Sequence, residues 1–259
     1  MPTARVNGVD IYYEDTGGSG PALLFSHGMM LDVEMFRPQI EALRGRYRCV
    51  AWDQRGFGRT GEVSAAFTFW DLAKDALGLL DVLKVERATL IGLSQGGFLS
   101  MRAALLAPKR VNELVLIATR HDSDSPDEIE GLRGLLAEWE ANGSANLEGV
   151  IASRILGEVD ATPWIAKWRK MSKTALRYPG NALAIRDDLT PVMDQLRCRA
   201  LVIHGEADQA INISRGVDLA ARLPQCRGFI RVPGAAHCLT LSHPSLVNDA
   251  LTDFLAGLS

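Results

Sequence analysis

The sequence predicts an α/β protein built on a mostly parallel sheet with helices on both faces. Three observations predict it. Short apolar runs, partly β-branched, alternate with longer runs of helical periodicity toward both ends of the chain. A Gly-x-Ser-x-Gly pentapeptide, Gly92-Leu93-Ser94-Gln95-Gly96, joins one such strand to one such helix. Between about Arg120 and Leu196 the rhythm breaks, and no convincing strand is found.

Val9–Glu14 alternates, with Val9, Ile11 and Tyr13 on one face. Ala22–Phe25 and Arg48–Trp52 are short buried runs, the second followed by the turn-rich Asp53-Gln54-Arg55-Gly56-Phe57-Gly58. Trp70–Leu83 places Leu72, Ala76, Leu79, Leu80 and Leu83 at helical spacing. Ala88–Leu93 is apolar and partly β-branched. Phe98–Ala107 is rich in helix formers and stops before Pro108. Leu114–Ala118, Ala200–Ile203 and Phe229–Val232 read as buried strands, and Val217–Leu223 and Leu246–Leu255 as helices. The intervening region reads as four amphipathic helices, around Ile129–Ala141, Leu147–Leu156, Pro163–Leu176 and Asn181–Asp188. Inserted between two sheet strands, they are expected to stand as a cap over the carboxyl edge, where open α/β sheets place their sites. The alternative is that they only cover one face of the sheet.

The 259 residues are enough for one large α/β domain or a domain with an insertion. A net charge of −3 gives no electrostatic reason to expect nucleic acid or an anionic membrane as partner. The N-terminus has no apolar stretch of signal-peptide length and no segment approaches a membrane span, so a cytoplasmic protein is expected. Cys49, Cys198, Cys226 and Cys238 have no zinc-ligand spacing and read as free thiols. Cys238 is distinguished only by following a candidate catalytic histidine. No metal and no organic cofactor are implied.

A serine held on a sharp strand-to-helix turn exposes its Oγ, and the flanking glycines keep the turn free of clashes. Ser94 is therefore the candidate nucleophile. It needs a base, a group to orient the base, and donors for an oxyanion. Of the five histidines, His237 sits in a loop directly after the last strand and is the candidate base. His27, before Gly28, is expected to shape its turn; His204 ends a strand, and His121 and His243 lie in other loops. Asp208, four residues past the end of its strand, is the candidate acid. Asp122 and Asp124, after Leu114–Ala118, are competing positions. The amide of Gln95, at a helix N-terminus, is one natural oxyanion donor. The other is expected from Ser26-His27-Gly28-Met29-Met30, with Met29 favoured.

These motifs resemble the α/β-hydrolase fold superfamily over essentially the full chain. The matches are His27-Gly28, Asp53-x-Arg55-Gly56-x-Gly58, Gly92-x-Ser94-x-Gly96-Gly97, Gly205-x-x-Asp208 and Gly234-x-x-His237, in the order Ser…Asp…His. The resemblance implies a mostly parallel eight-stranded sheet with a helical cap between strands six and seven. Core residues would be 1–119 and 197–259, and cap residues 120–196. It implies Ser94, His237 and Asp208 as a triad, with Met29 and Gln95 as amide donors. Gln95 departs from the Met found in many relatives, which leaves its backbone role intact.

Gly92–Arg102 further resembles small carboxylesterases and lactonases, including enol-lactonases and acyl-homoserine-lactone-cleaving esterases. The implied activity is hydrolysis of a small ester or lactone through an acyl-enzyme. Carbon–carbon bond hydrolysis, peptide cleavage and perhydrolysis are alternatives on the same triad, and a non-catalytic small-ligand receptor is an alternative of a different class. Met30, Trp139 and Trp164 are the expected substrate contacts. Met29, Phe98, Leu135, Trp168, Met171 and Tyr178 are further candidates for the pocket or for packing beneath it.

Overall fold

The computed structural model describes residues 2–256. Strands β1 (Thr3–Val6), β2 (Val9–Asp15), β3 (Ala22–Ser26), β4 (Arg48–Trp52), β5 (Ala88–Leu93), β6 (Val111–Ile117), β7 (Arg199–Gly205) and β8 (Cys226–Val232) form one sheet. Their order is β1-β2-β4-β3-β5-β6-β7-β8. From β4 to β8 every pairing is parallel, and β2 runs antiparallel to both of its neighbours.

The period of two along the central strands sorts their side chains into two cores. Leu23, Phe25, Ile91, Leu93, Val115, Ile117, Leu201 and Ile203 face one side. There they meet α1 (Arg37–Leu43), α9 (Leu239–Ser242) and α10 (Pro244–Leu255). Leu24, Val50, Leu90, Leu114, Leu116, Ala200 and Val202 face the other. That side is covered by α2 (Phe69–Val82), α3 (Gln95–Leu106) and α8 (Ile213–Arg222). Between β6 and β7 lie α4 (Pro126–Asn142), α5 (Glu148–Ile155), α6 (Thr162–Trp168) and α7 (Arg177–Ala184).

Three differences from the sequence reading, in four elements, have a clear cause. β1 was not expected. It is a four-residue strand with only Ala4 and Val6 turned inward. Its signal is the Asn7-Gly8 turn, where both residues have positive φ (45° and 81°) and connect Val6 to Val9 as a two-residue hairpin. β8 is not a buried strand: of its residues only Val232 is fully buried, because β8 pairs on one edge alone. The third difference concerns the last two inserted helices. α6 stops at Trp168 instead of running to Leu176. α7 starts at Arg177, four residues before the expected Asn181, because Pro179 falls in its first turn, where a missing N–H costs nothing.

The turn from β5 to α3 is the tightest feature of the fold. Cβ atoms added at Gly92 or Gly96 would strike backbone: the carbonyl of Gly96 in the first case, and that of Ser26 in the second. At Gly97 an added Cβ would meet Thr119, 2.6 Å from its Oγ1. The first turn of α3 thus lies directly against the ends of β3 and β6. Gly96→Ala should therefore lower the urea-unfolding free energy by about 3 kcal/mol or more, the upper range for overpacking where backbone must move. A change under about 0.5 kcal/mol would show that this approach is looser than described.

Candidate active site

Ser94 sits at the junction of β5 and α3 with φ 56° and ψ −118°, a left-handed conformation that an L-residue adopts only under constraint. The constraint is visible. Its N–H donates to Ile117 O at 2.9 Å, and its carbonyl accepts from Thr119 Oγ1 at 2.8 Å and from Gly97 N at 2.8 Å. Both backbone groups are spent, which leaves the side chain turned out of the sheet and half-buried.

His237 and Asp208 are brought together by the loops after β8 and β7. Glu206 N donates to Val232 O at 3.0 Å, and Ala207 N to Ala235 O at 2.9 Å. A Cβ at Gly205 would strike the Ala235 carbonyl, so only glycine lets the two loops close. With the loops joined, His237 Nδ1 donates to Asp208 Oδ2 at 2.8 Å. The Asp208 carboxylate also accepts at Oδ1 from Ala210 N (2.8 Å) and Ile211 N (2.9 Å). His204 Nε2 lies 3.2 Å from its Oδ2. Burial opposes ionisation, but His237, His204 and the Ile211 amide outweigh it and hold the carboxyl well below the usual carboxylate range. It is an anion, so the ring nitrogen that faces it, His237 Nδ1, is the donor of their hydrogen bond.

The other histidines are accounted for differently. His27 is fully buried, donates from Nδ1 to Gly28 O at 2.7 Å and accepts at Nε2 from Gln54 N at 2.9 Å. Burial pushes its pKa down to about 4, so it is neutral. His204 donates from Nε2 to Ile211 O at 2.8 Å. His121 is buried at the end of the 118–121 segment, 3.5 Å from Asp218. The competing acids are committed to arginines. Asp122 pairs with Arg120 and Arg215, and Asp124 with Arg120 and Arg186.

Met29, in the loop after β3, and Gln95, the first residue of α3, belong to segments that are joined through side chains. Gln95 Nε2 donates to Gln54 Oε1 at 3.0 Å, and Gln54 Nε2 donates to His27 O at 2.6 Å. His27 then grips Gly28, the neighbour of Met29. Among the described residues, no group accepts a hydrogen bond from the amide of Met29 or of Gln95. Gln54 was read only as part of a turn. Nothing in a single sequence marks a glutamine as the bridge between His27, 27 residues before it, and Gln95, 41 residues after it.

A cavity of about 520 Å³ opens over Ser94. Its wall includes Ser94, His237, Gly28, Met29 and Met30 from the sheet edge, and Leu132, Leu135, Ile151, Ile155 and Leu183 from the inserted helices. Phe98 and Leu135, candidates for either pocket or packing, line it. Trp139 and Trp164 do not, and their assignment as substrate contacts is corrected. Trp139 is fully buried in the core and donates from Nε1 to Ser172 O at 3.0 Å. Trp164 is buried in the same core, with Lys167 over its ring at 4.5 Å. Large indoles pack the inserted helices onto the sheet, whereas smaller aliphatic side chains form the wall. Trp168 and Met171 line a neighbouring cavity of about 380 Å³, which shares Met30 and Leu31 with the first. Tyr178 lines neither. The sequence reading also missed the charged groups of the wall: Arg120, Asp124, Asp127, Glu128, Arg154 and Arg186.

All four cysteines are free thiols. Burial pushes the Cys238 thiol far above its ordinary range, so it is no nucleophile. Among the described residues no cluster of three His, Cys, Asp or Glu is placed to hold a metal ion, and no helix is long and apolar enough to cross a membrane.

A family model described as "alpha/beta hydrolase fold" matches residues 21–160. A putative non-heme chloroperoxidase of Synechocystis is 28% identical, with 95% of each chain covered. The 2-(acetamidomethylene)succinate hydrolase of Mesorhizobium japonicum is 28% identical, covering 92% of this chain and 89% of that one. Among solved structures, an enol-lactonase from Burkholderia xenovorans superposes with TM-score 0.90 at 26% identity, covering 98% of this chain and 100% of that one. A thermophilic esterase from Thermogutta terrifontis superposes with TM-score 0.88 at 25% identity, over 99% and 98% of the two chains.

Two outcomes follow from the buried amide bridge. Gln54→Leu leaves the Gln95 side-chain Nε2 and the His27 carbonyl without their side-chain partner and should cost about 2–4 kcal/mol in urea unfolding. The double variant Gln54→Leu/Gln95→Met should recover part of that loss; strictly additive losses would disprove the bridge. The second outcome concerns pH. A buried His27 held neutral carries no penalty above its unfolded pKa near 6.5. As pH falls toward about 4, the unfolded state takes up the proton first, and the folded state loses on the order of 3 kcal/mol from this group. Asp53, raised by burial to about 6, acts in the opposite sense over part of the same window. The comparison must therefore be differential: the stability gap between wild type and His27→Asn should shrink from pH 7 to pH 4.5, and a constant gap would contradict a neutral His27.

Proposed function

The chain belongs to the α/β-hydrolase fold family, and from that premise we propose that it is a serine hydrolase of carboxylic esters or lactones, working through an acyl-enzyme. The observation that carries this reading is the placement of Ser94 and His237 in the wall of one cavity, with Asp208 fixed 2.8 Å behind the imidazole. Relatives named as an esterase and an enol-lactonase support the choice of bond.

Ser94 Oγ attacks the substrate carbonyl while His237 Nε2 takes its proton. Asp208, unable to accept that proton at neutral pH, stabilises the imidazolium and keeps its orientation. The amides of Met29 and Gln95, unspent within the fold, receive the oxyanion. Collapse of the tetrahedral intermediate expels the alkoxide, which takes the proton from His237. In a lactone the alkoxide stays tethered to the acyl group. Water then attacks the acyl-enzyme with His237 as base, and the acid leaves. In this reading the inserted helices act as a cap that closes the cavity over Ser94. A second reading is favoured by the relative named as a chloroperoxidase: peroxide replaces water and a peroxy acid leaves.

Ser94→Ala should lower kcat on a p-nitrophenyl ester by about 10⁴–10⁶-fold. Near-wild-type turnover by this variant would end the proposal. Asp208→Asn should cost about 10⁴-fold and more than Asp122→Asn. The opposite ranking would move the acid to the end of β6.

A further inference from the structure

The wall over Ser94 contains a buried cation whose charge is under-served. Arg186, just beyond the end of α7, is 6% exposed, and its side chain is more than nine-tenths buried. Its Nη2 donates to the Asp122 carbonyl at 2.9 Å, and its Nη1 lies 3.2 Å from Asp124 Oδ2. Its Nε is buried with no acceptor. One side of the guanidinium is covered by the Phe98 ring, whose centroid lies 4.0 Å away. Arg186 and Phe98 both line the cavity that holds Ser94 and His237.

The nearby carboxylates do not complete it. Asp124 is shared with Arg120, which also takes Asp122 and Glu128. Asp122 turns its side chain to Arg120 and Arg215. Glu128 pairs with Arg120 and caps α4, and Asp127 is exposed on the first turn of that helix, where its charge meets the helix N-terminus. Burial and the neighbouring Arg120 and Arg102 lower the Arg186 pKa to about 10 against the pull of Asp124 and Asp122. A buried guanidinium has five donors and loses free energy for each one left without an acceptor. A second cation, Arg154, stands at the cavity wall with Nε on Gln209 O at 3.2 Å and no carboxylate partner among the described residues.

We propose that Arg186, with Arg154 beside the opening, receives a free carboxylate carried by the substrate, so that the site takes half-esters or lactones of dicarboxylic acids. This rests on the hydrolase reading above and names its substrate class. The aliphatic wall between Arg186 and Ser94 would hold the methylene spacer.

The experiment compares monomethyl esters of C4–C8 dicarboxylic acids with methyl esters of monocarboxylic acids of matched length, on wild type, Arg186→Met, Arg186→Lys and Arg154→Gln. For at least one spacer length, wild-type kcat/KM should favour the acid by about 10- to 100-fold, the worth of a charge-assisted hydrogen bond in a partly desolvated site. Arg186→Met should abolish that ratio and Arg186→Lys should keep part of it. Arg154→Gln, on an exposed helix position, should reduce it less. Equal or better turnover of the neutral esters at every length by wild type overturns the proposal, whether or not Arg186→Met folds. So does an Arg186→Met variant that loses both ester classes in proportion, which would make Arg186 a structural tie. Turnover of neither class, with Ser94 unlabelled by a fluorophosphonate, instead removes the hydrolase reading and this inference with it.

Discussion

The close approach of the first turn of α3 to the ends of β3 and β6 is the constraint on which the rest of the site depends. Three glycines make it possible, because side chains at 92, 96 or 97 would occupy space already filled by backbone or by Thr119. Once the helix is seated, Ser94 has no extended or right-handed alternative: its N–H is tied to β6 and its carbonyl to Thr119 and the helix. The strained backbone and the outward hydroxyl are one consequence. The other is that Gln95 enters the helix beside the loop 27–30, close enough for Gln54 to bridge them.

The candidate acid and base, Asp208 and His237, depend on a separate closure, between the loops after β7 and β8. Backbone hydrogen bonds fasten them before any side chain is considered, and the inserted helices then add to the clasp. Cys238 N donates to Ile155 O at 2.8 Å, and Arg154 reaches Gln209 O, so the end of α5 holds the neighbour of His237 and the neighbour of Asp208. Ile151 and Ile155 of the same helix line the cavity. One short helix therefore touches the ligand space and both loops behind the imidazole, which couples what fills the cavity to how the base is held.

Much of this was legible in the sequence, for physical reasons that differ between elements. Strands buried on both faces announce themselves by uninterrupted apolar runs, and β3, β4 and β5 agreed closely with that pattern. The Gly-x-Ser-x-Gly turn declares itself because its geometry excludes other residues. Edges are harder to read. β8 carries a strand's composition yet lies half in solvent, and β1 has too few inward residues to show a period, although Asn7-Gly8 marks its hairpin. The inserted helices were found with blurred ends because Pro179 looks like a stop and is tolerated in a first turn. The indoles misled most. Trp139 and Trp164 are apolar enough for a pocket and large enough for a core, and sequence alone does not rank those fates.

The arginines account for the engagement of Asp122 and Asp124 and for the polarity of the cavity wall beside them. Asp122 and Asp124 follow a sheet strand, as an orienting acid should. A carboxylate that orients a histidine must keep an oxygen free to face it. Asp208 does so because its other contacts are the backbone amides of Ala210 and Ile211 on Oδ1 and the His204 ring nitrogen behind Oδ2. Asp122 and Asp124 instead meet guanidinium groups, each with several donors converging on the same oxygens. Arg120 comes from the same turn of chain that carries the acids, Arg186 from just beyond α7 and Arg215 from α8. The cluster thus binds the insertion to the sheet and takes two carboxylates out of contention. It also leaves Arg186, at its margin, in the wall of the cavity that holds Ser94.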